Sequence, residues 1–211
     1  MKKESQVIFD KNVIEFVTVA AEFCAFLERA ESMKRSTFVD TTLKILPLLY
    51  LKASMLPKCE MIGDESPETY VTEEIYEVLR INLASILAEK DDYLEVFLPD
   101  MAYSDEPIKK NISEDGADIY QDIKDFIFVF QLGLNETMND SLAICQENFG
   151  LLWGQKLVNT MRALHDVKYS PKARGEDEEE EEYEPENNED CHCEDDDCHC
   201  HDHGCHCHDD E

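Results

Sequence analysis

Apolar residues recur at steps of three and four along most of the chain up to His165. That spacing places apolar side chains along one face of an α-helix, where they can pack against a core. No stretch of useful length alternates apolar and polar residues at every second position, as a half-buried strand would. The pattern therefore predicts an all-α fold, a helical bundle of about five to six helices.

The first two helices are bounded by residues that start or interrupt helical structure. Asp10 is a suitable N-cap for a helix that runs to about Ser32. A second helix is predicted from about Ser36 to Met55. Pro47 lies inside it and should kink it or split it in two, because proline lacks the amide proton that an interior helical position donates.

Three further helices are predicted after a loop. Thr72 is a suitable N-cap for the third helix, and Asp91-Asp92 marks its expected end. Ser113 opens the fourth helix, with acidic residues in a first turn that suits negative charge. Gly133 is a suitable stop for that helix, and Asn135 caps the last one.

The helical pattern stops near Ser170, and a highly acidic tail follows. From Gly175 to Glu211 the sequence has 19 Asp or Glu and no Lys or Arg, against a formal net charge of −30 for the 211 residues. Such a segment cannot bury enough apolar surface to offset the entropy lost on folding. We therefore expect a helical domain over residues 1–172 and a disordered acidic tail over residues 173–211.

Charge and apolar content disfavour two classes of partner, nucleic acid and membrane. Nucleic-acid binding through phosphate contacts needs a positive face, which so acidic a chain does not offer. The longest wholly apolar run, Ile45 to Leu51, is too short to span a bilayer, and no export signal is visible. These features predict a cytoplasmic protein with reduced thiols, and the odd count of nine Cys fits poorly with a disulfide framework.

The tail contains a repeated Cys-His-Cys unit, and six Cys and six His fall within 18 residues. The candidate metal ligands are Cys191, His192, Cys193, Cys198, His199, Cys200, His201, His203, Cys205, His206, Cys207 and His208. Thiolate and imidazole are the ligands that zinc, nickel and copper(I) prefer. The tail is therefore predicted to bind such transition-metal ions.

The spacing of these ligands indicates a labile site. Structural zinc fingers use paired Cys-x-x-Cys knuckles, whereas here the ligands alternate and nothing apolar could close around an ion. With about four ligands per ion, the segment could bind up to about three ions. This predicts metal storage, buffering or delivery. The alternative is a solvated low-complexity segment that binds metal only incidentally.

Two sets of carboxylates at helical spacing support a different function for the domain. They are Asp118, Asp122 and Asp125 in the fourth helix, and Glu73, Glu74 and Glu77 in the third. Two carboxylate-bearing helices can hold Mg²⁺ or Mn²⁺, as in all-α nucleotide pyrophosphohydrolases, where the metal positions a phosphate ester for attack by water. A Glu-x-x-Asp pair at a suitable distance after Glu77 is missing, so an exposed acidic helix face is the simpler interpretation.

The other distinctive side chains of the domain are expected to be structural. The aromatic residues expected in the core or an interface are Trp153, Tyr120 and Phe126. Cys24 and Cys145 lie on apolar stripes and are expected to be small core residues. His165, the only His outside the tail, should interact with the last carbonyls of its helix.

Residues 117–124 and 153–165 resemble the signature stretches of the bacterial family called domain of unknown function 5063. The first reads Ala-Asp-Ile-Tyr-Gln-Asp-Ile-Lys, and the second begins Trp-Gly-Gln-Lys and ends Arg-Ala-Leu-His. The resemblance implies a helical bundle with no established activity. Some relatives carry His directly after the Trp-Gly pair, where this chain has Gln155 and Lys156. The tail resembles, in composition alone, the His- and Cys-rich extensions of bacterial nickel-handling chaperones.

The sequence as a whole favours a soluble, non-enzymatic metal-binding or interaction protein. In this interpretation the tail binds or buffers zinc, nickel or copper ions, and the helical domain is available to a protein partner. The alternative is a Mg²⁺- or Mn²⁺-dependent all-α hydrolase of phosphorylated small molecules.

Overall fold

The computed structural model describes residues 7–95 and 108–170. Six α-helices account for most of these residues and confirm the predicted all-α class. They are α1 (Lys11–Glu28), α2 (Arg35–Ser54), α3 (Glu73–Leu87), α4 (Ile112–Gln131), α5 (Asn135–Asn148) and α6 (Gly154–Tyr169). None of the described helices is long and apolar enough to cross a membrane.

The predicted N-caps Asp10 and Thr72 are confirmed, whereas Asn135 is the first residue of α5 and Leu134 is the N-cap of that helix. Asn12 N donates to Asp10 Oδ1 at 2.8 Å, and Ile75 N donates to Thr72 Oγ1 at 3.3 Å. These bonds satisfy amides that have no partner inside the first turn of a helix. Gly133 follows α4 with a φ of 75°, a left-handed conformation that glycine adopts without steric cost.

Pro47 does not split the second helix, so that alternative was wrong. Helix α2 continues from Arg35 to Ser54 with Pro47 inside it. The helix packs against both α1 and α6, and Leu46 and Leu49 on either side of the proline are fully buried. Packing of an apolar face supplies most of the stability of a helix in a protein. Here it outweighs the roughly 3 kcal/mol that an interior proline costs.

A small antiparallel sheet was not predicted. Strands β1 (Asp92–Leu94) and β2 (Lys109–Asn111) pair with Asp92 opposite Asn111 and Leu94 opposite Lys109. Three residues per strand are too few to produce a readable alternation. Arg162 Nη2 of α6 donates to the carbonyl of Leu94 at 2.8 Å, which ties the sheet to the bundle.

Helix α4 is the central helix and packs against α1, α3, α5 and α6. Its Phe126 lies 5.5 Å from Phe16 of α1, measured between ring centroids, and Phe16 stacks on Trp153 at 6.5 Å. Phe126 is buried, and Phe16 and Trp153 are fully buried. Tyr120 is buried as well, so the core or interface role expected for these aromatic residues is confirmed.

Helices α5 and α6 are joined by a π-helical turn, Phe149–Trp153. A β-carbon added at Gly154 would lie 2.3 Å from the carbonyl oxygen of Phe149, five residues back. The indole Nε1 of Trp153 donates to the carbonyl of Cys145 at 3.1 Å inside the core. The Trp153-Gly154 pair therefore stabilises the π-helical turn. The Trp153 indole forms a hydrogen bond to α5, and only glycine fits beside the carbonyl of Phe149.

The chain between α2 and α3 forms the α2–α3 strap, defined here as residues 56–72, which has no helix or strand. Irregular segments longer than about 12–15 residues are uncommon in compact domains and are often functional.

Polar side chains of α5 hold the strap in place through hydrogen bonds. Asp140 accepts hydrogen bonds from Ile62 N at 2.6 Å and Gly63 N at 2.8 Å. The side-chain oxygen of Gln146 accepts a hydrogen bond from Cys59 N. Its side-chain nitrogen donates to the carbonyls of Leu56 and Pro57.

Candidate functional site

The predicted metal-ligand segment, residues 191–208, lies outside the described residues. The structure therefore places only the carboxylates, thiols and aromatic residues of the helical domain. Among these, the four Asp side chains spaced along α4 form the most chemically distinctive group. They are Asp115, Asp118, Asp122 and Asp125, called here the α4 carboxylate row.

Asp118 is neutralised by a cation from the same chain. Its Oδ2 pairs with Nζ of Lys156 on α6, and its Oδ1 accepts a hydrogen bond from the hydroxyl of Tyr76 at 2.8 Å. Tyr76 lies on α3, so one carboxylate joins three helices. A metal ion at Asp118 would have to compete with the Lys156 ammonium group.

Asp122 and Asp125 are half-buried, which corrects the expectation of an exposed acidic face. Asp122 accepts from Asn148 Nδ2 of α5 at 2.5 Å. Asp125 Oδ1 accepts from the backbone amides of Tyr70 and Val71 in the strap, both at 2.7 Å. Burial raises the pKa of both carboxyl groups above the ordinary value, and these hydrogen bonds oppose the shift only in part.

Asp115 is the most buried member of the α4 carboxylate row, with 4% of its surface exposed. It accepts a hydrogen bond from the hydroxyl of Tyr93 in β1 at 2.5 Å. Burial raises the pKa of Asp115, while the bond from Tyr93 favours the charged form. Burial, followed by the hydrogen bond to Asp115, also raises the pKa of Tyr93, so the phenol stays the donor.

A cavity of about 110 Å³ opens between the strap and helices α4 and α5. Asp122, Asp125 and Glu68 supply carboxylates to its lining, with Phe126 and Asn148 beside them. Its described lining has no basic side chain, so the electrostatic potential inside is negative. Asp122 and Asp125 therefore line this cavity, whereas Asp118 does not.

The acidic residues of α3 do not converge with those of α4. Glu77 pairs with Arg80 on its own helix, with a closest N–O distance of 2.7 Å. Glu73 and Glu74 are exposed. Within residues 7–95 and 108–170, no group of three or more His, Cys, Asp or Glu side chains is arranged to hold a metal ion.

The three thiols of the described chain sit in positions that favour the protonated form. Cys24 and Cys145 are buried, as predicted, and burial raises the pKa of Cys24 to about 12 and that of Cys145 well above its ordinary value. Cys59 is half-buried and lies 3.3 Å from Asn139 Oδ1, and burial raises its pKa too. His165 is exposed, and its ring contacts that of Tyr169 at 4.6 Å.

The polar residues of α5 that hold the strap were not identified from the sequence. Asn139 and Asp140 are 2% and 3% exposed, although neither belongs to an apolar stripe. Asn139 Nδ2 donates to the carbonyl of Glu60 at 2.8 Å. The available signal was the scarcity of apolar residues on α5 around the buried Leu142 and Cys145. A helix with so narrow a stripe must bury polar groups if it lies between neighbours.

The two signature segments meet in space. Asp118 of the first pairs with Lys156 of the second, across the α4–α6 contact. In the second segment Gln155 Nε2 donates to Asn159 Oδ1 at 3.1 Å, and Asn159 Nδ2 donates to the buried Glu95 at 3.1 Å. The contacts of the two signature segments are therefore hydrogen bonds and one ion pair, and the ion pair joins α4 to α6.

Comparison with known proteins shows similarity to a solved structure and a match to a protein family. The chain is similar to protein BF1032 from Bacteroides fragilis, whose crystal structure matches with 92% identity over 80% of this chain and 99% of that chain, at a TM-score of 0.73. No curated protein matches. The family model described as domain of unknown function (DUF5063) matches residues 7–170. That range covers most of the chain and holds both signature segments, so the protein belongs to the DUF5063 family.

Proposed function

We propose that this protein binds soft transition-metal ions through residues 191–208 and that its helical domain carries this segment without catalysing a reaction. The observation that carries the proposal is the density of ligands, six Cys and six His within 18 residues. Zinc, nickel and copper(I) are the ions that prefer thiolate and imidazole. The domain supplies a folded carrier for the segment.

The side chains of the described domain support this assignment by being poor competitors for metal. A metal-binding thiol must lose its proton, and burial opposes that loss at Cys24, Cys59 and Cys145. Lys156 already neutralises Asp118. Soft metal ions added to the full chain should therefore bind at the tail.

Redundant ligands suit buffering or delivery. Twelve candidate groups can form several four-ligand sets of similar energy, so an ion can exchange between sets. Neighbouring Asp and Glu raise the local concentration of cations, and each bound ion displaces thiol protons. Affinity should therefore fall as the pH drops through about 6.5, where imidazole becomes protonated.

The test is a metal titration of the reduced full chain, followed by native mass spectrometry. We expect about two to three Zn²⁺ or Ni²⁺ per chain. A variant with all six tail Cys replaced by Ser should lose Zn²⁺ and copper(I) more than Ni²⁺, since six His remain. Cys59→Ser is the matched control and should keep the full stoichiometry. A wild-type chain that binds none of these ions at micromolar concentration would refute the proposal.

A metal-dependent hydrolase is the second candidate. The observation in its favour is the hydrogen bond between Tyr76 and Asp118, which brings the carboxylate-bearing helices α3 and α4 together beside half-buried acids. We rank the hydrolase second because two carboxylates that a metal would need already form ion pairs. Asp118 pairs with Lys156, and Glu77 pairs with Arg80. Mn²⁺-dependent hydrolysis of a nucleoside triphosphate that is abolished by Asp122→Asn would reverse this ranking.

A further inference from the structure

Helix α2 is apolar on both of its faces in its second half. It contains the longest wholly apolar run of the chain, Ile45 to Leu51. Leu46 and Leu49 are buried against the bundle, whereas Leu48 and Leu51 point outward and are 43% and 51% exposed. A helix that is apolar all round is normally buried on all sides. The outer face of α2 therefore has the composition of a covered surface.

The exposed apolar side chains of α2 continue onto the start of α6. The two helices pack against each other and run antiparallel. Tyr50 contacts Phe149, just before α6, with 5.1 Å between ring centroids, and Asp40 pairs with Lys168 near the end of α6. The α2–α6 surface is defined here by six side chains that are 40% to 70% exposed: Leu48, Tyr50, Leu51, Met55, Leu151 and Val158.

The α2–α6 surface is large enough for a dimer interface. A large apolar residue has roughly 150–250 Å² of accessible surface, so six of them at about half exposure present on the order of 500 Å². The largest apolar patch on a typical monomer covers about 300–600 Å² and is often functional. Two copies that cover this surface bury about 1,000 Å² of apolar area, and polar residues at its edge add to the total. That is the size of a specific protein interface.

The α6 side of this surface has an acid at one end and a base at the other. Glu147 lies four positions before Leu151, and Arg162 lies four positions after Val158, so each shares a helical face with its apolar neighbour. Both residues are exposed, and neither forms an ion pair with a described residue. Arg162 donates to the carbonyl of Leu94, a neutral group, so its charge is not neutralised. In two antiparallel copies, Glu147 of each chain therefore faces Arg162 of the other.

The lysines on the α2 side give no preference for an acidic partner. Lys44 pairs with Asp40, and Lys52 pairs with Glu15 at 2.6 Å. Because these charges are neutralised inside the chain, a partner gains little by neutralising them. The opposite signs of Glu147 and Arg162 suit a second copy better than a partner of one strong charge.

We propose that the chain forms a two-fold dimer through the α2–α6 surface, with α6 antiparallel to α6 of the second copy. A two-fold interface uses the same patch on both copies, so the patch must be complementary to itself. Leu51 and Met55 of the two chains pack together near the axis, and a Glu147–Arg162 pair closes the interface at either end. An apolar centre with a polar edge is typical of homodimer interfaces. This proposal is independent of metal binding by the tail.

The test is sedimentation velocity of the reduced full chain between about 1 and 100 μM, with EDTA present so that metal ions cannot bridge two tails. We expect a concentration-dependent dimer of twice the chain mass of 24.4 kDa. Leu51→Lys should weaken dimerisation about tenfold, because it places like charges in the apolar centre. Leu151→Lys should act in the same direction from the π-helical turn, and it serves if Leu51→Lys does not fold. Ile81→Lys, at a side chain of α3 that is 55% exposed, is the matched control and should change nothing.

Exchange of the two end charges distinguishes a second copy from any other partner. Glu147→Arg and Arg162→Glu should each weaken the dimer about fivefold, because like charges then meet at both ends. The double variant should restore the wild-type affinity, since opposite charges face each other again.

Three outcomes of these measurements would overturn the proposal. They are a chain that stays monomeric at about 100 μM, single charge variants that the double variant does not rescue, and an effect of Ile81→Lys equal to that of Leu51→Lys. Binding of the monomeric chain to phosphatidylcholine vesicles that Leu51→Lys abolishes would assign the surface to a membrane and also overturn it.

Discussion

Gly154 shows how one residue specifies the joint between two helices. Its α-carbon faces the carbonyl oxygen of Phe149, and a β-carbon there would lie 2.3 Å from that oxygen. Both the clashing atom and the glycine belong to helical backbone, so neither can move without opening the π-helical turn.

Gly154→Ala is therefore expected to destabilise the domain by about 3 kcal/mol, measured by urea unfolding. Gly150→Ala is the matched control in the same turn, since a β-carbon there meets no atom within 4 Å. That control should leave stability unchanged or raise it slightly, because alanine restricts the unfolded chain. A stable Gly154→Ala protein would mean that the π-helical turn is not required.

Thr160 is a second residue whose role follows from its surroundings. Its Oγ1 is buried and has no hydrogen-bond partner, and it borders a cavity of about 20 Å³ among apolar side chains of the core. An unpaired buried hydroxyl costs about 1–3 kcal/mol. Valine has nearly the same shape without the polar atom.

We expect Thr160→Val to raise the free energy of unfolding by about 1 kcal/mol, seen as a higher urea midpoint at unchanged slope. Thr42→Val tests the opposite case, since Thr42 Oγ1 donates to the carbonyl of Phe38 at 2.7 Å. It should give no such gain. Destabilisation by Thr160→Val would show that the hydroxyl has a partner in solution.

At the scale of elements, the α4 carboxylate row joins its helix to the rest of the domain. Asp118 accepts a hydrogen bond from α3 and forms an ion pair with α6. Asp122 accepts a hydrogen bond from α5, and Asp125 accepts one from the strap. Burial raises the pKa of Asp122, so the folded state holds its proton more tightly than the unfolded state does. Its contribution to stability is then present below the unfolded pKa of about 3.9 and is lost as the pH rises through the higher folded value.

Asp122→Asn removes this titration while its side-chain oxygen can still accept from Asn148. The melting temperature of the variant relative to wild type should therefore rise between acidic and neutral pH, by on the order of 2 °C. Calorimetry at several pH values measures this difference. Asp64→Asn, at an exposed position of the strap, should show no such trend. If the melting temperature of Asp122→Asn instead falls relative to wild type between acidic and neutral pH, the charged form of Asp122 is the one that stabilises the fold.

The helices were predictable because their signals are local. Apolar spacing and caps such as Asp10 and Thr72 lie within a few residues of the structure that they specify. The bond between Asp140 and Gly63 joins residues 77 positions apart, and no periodic pattern marks either partner. Pro47 was misjudged for a related reason, since burial of its neighbours against α1 and α6 decides whether the helix continues. Residues that act through distant partners need the fold itself.

At the scale of the whole molecule, the helical domain and the tail differ in apolar content and in charge. The domain buries aromatic residues such as Phe16 and Trp153 in one core. The segment from Gly175 to Glu211 has 19 acidic residues, and Tyr183 is its only aromatic one. Segments with so few apolar side chains gain little by packing on a core. We therefore expect metal binding by the tail to be independent of folding of the domain.

This independence predicts that Zn²⁺ will not stabilise the domain. A ligand raises the melting temperature only if it binds the folded state more tightly than the unfolded state. If residues 191–208 bind Zn²⁺ as proposed, and do so equally in the folded and unfolded chain, a saturating ion should shift the midpoint by less than about 1 °C. A chain that ends at Ser170 should melt at the same temperature as the full chain. Scanning calorimetry of both chains, with and without Zn²⁺, tests this. A large rise on adding Zn²⁺ to the full chain alone would mean that metal-bound tail packs on the domain and stabilises it.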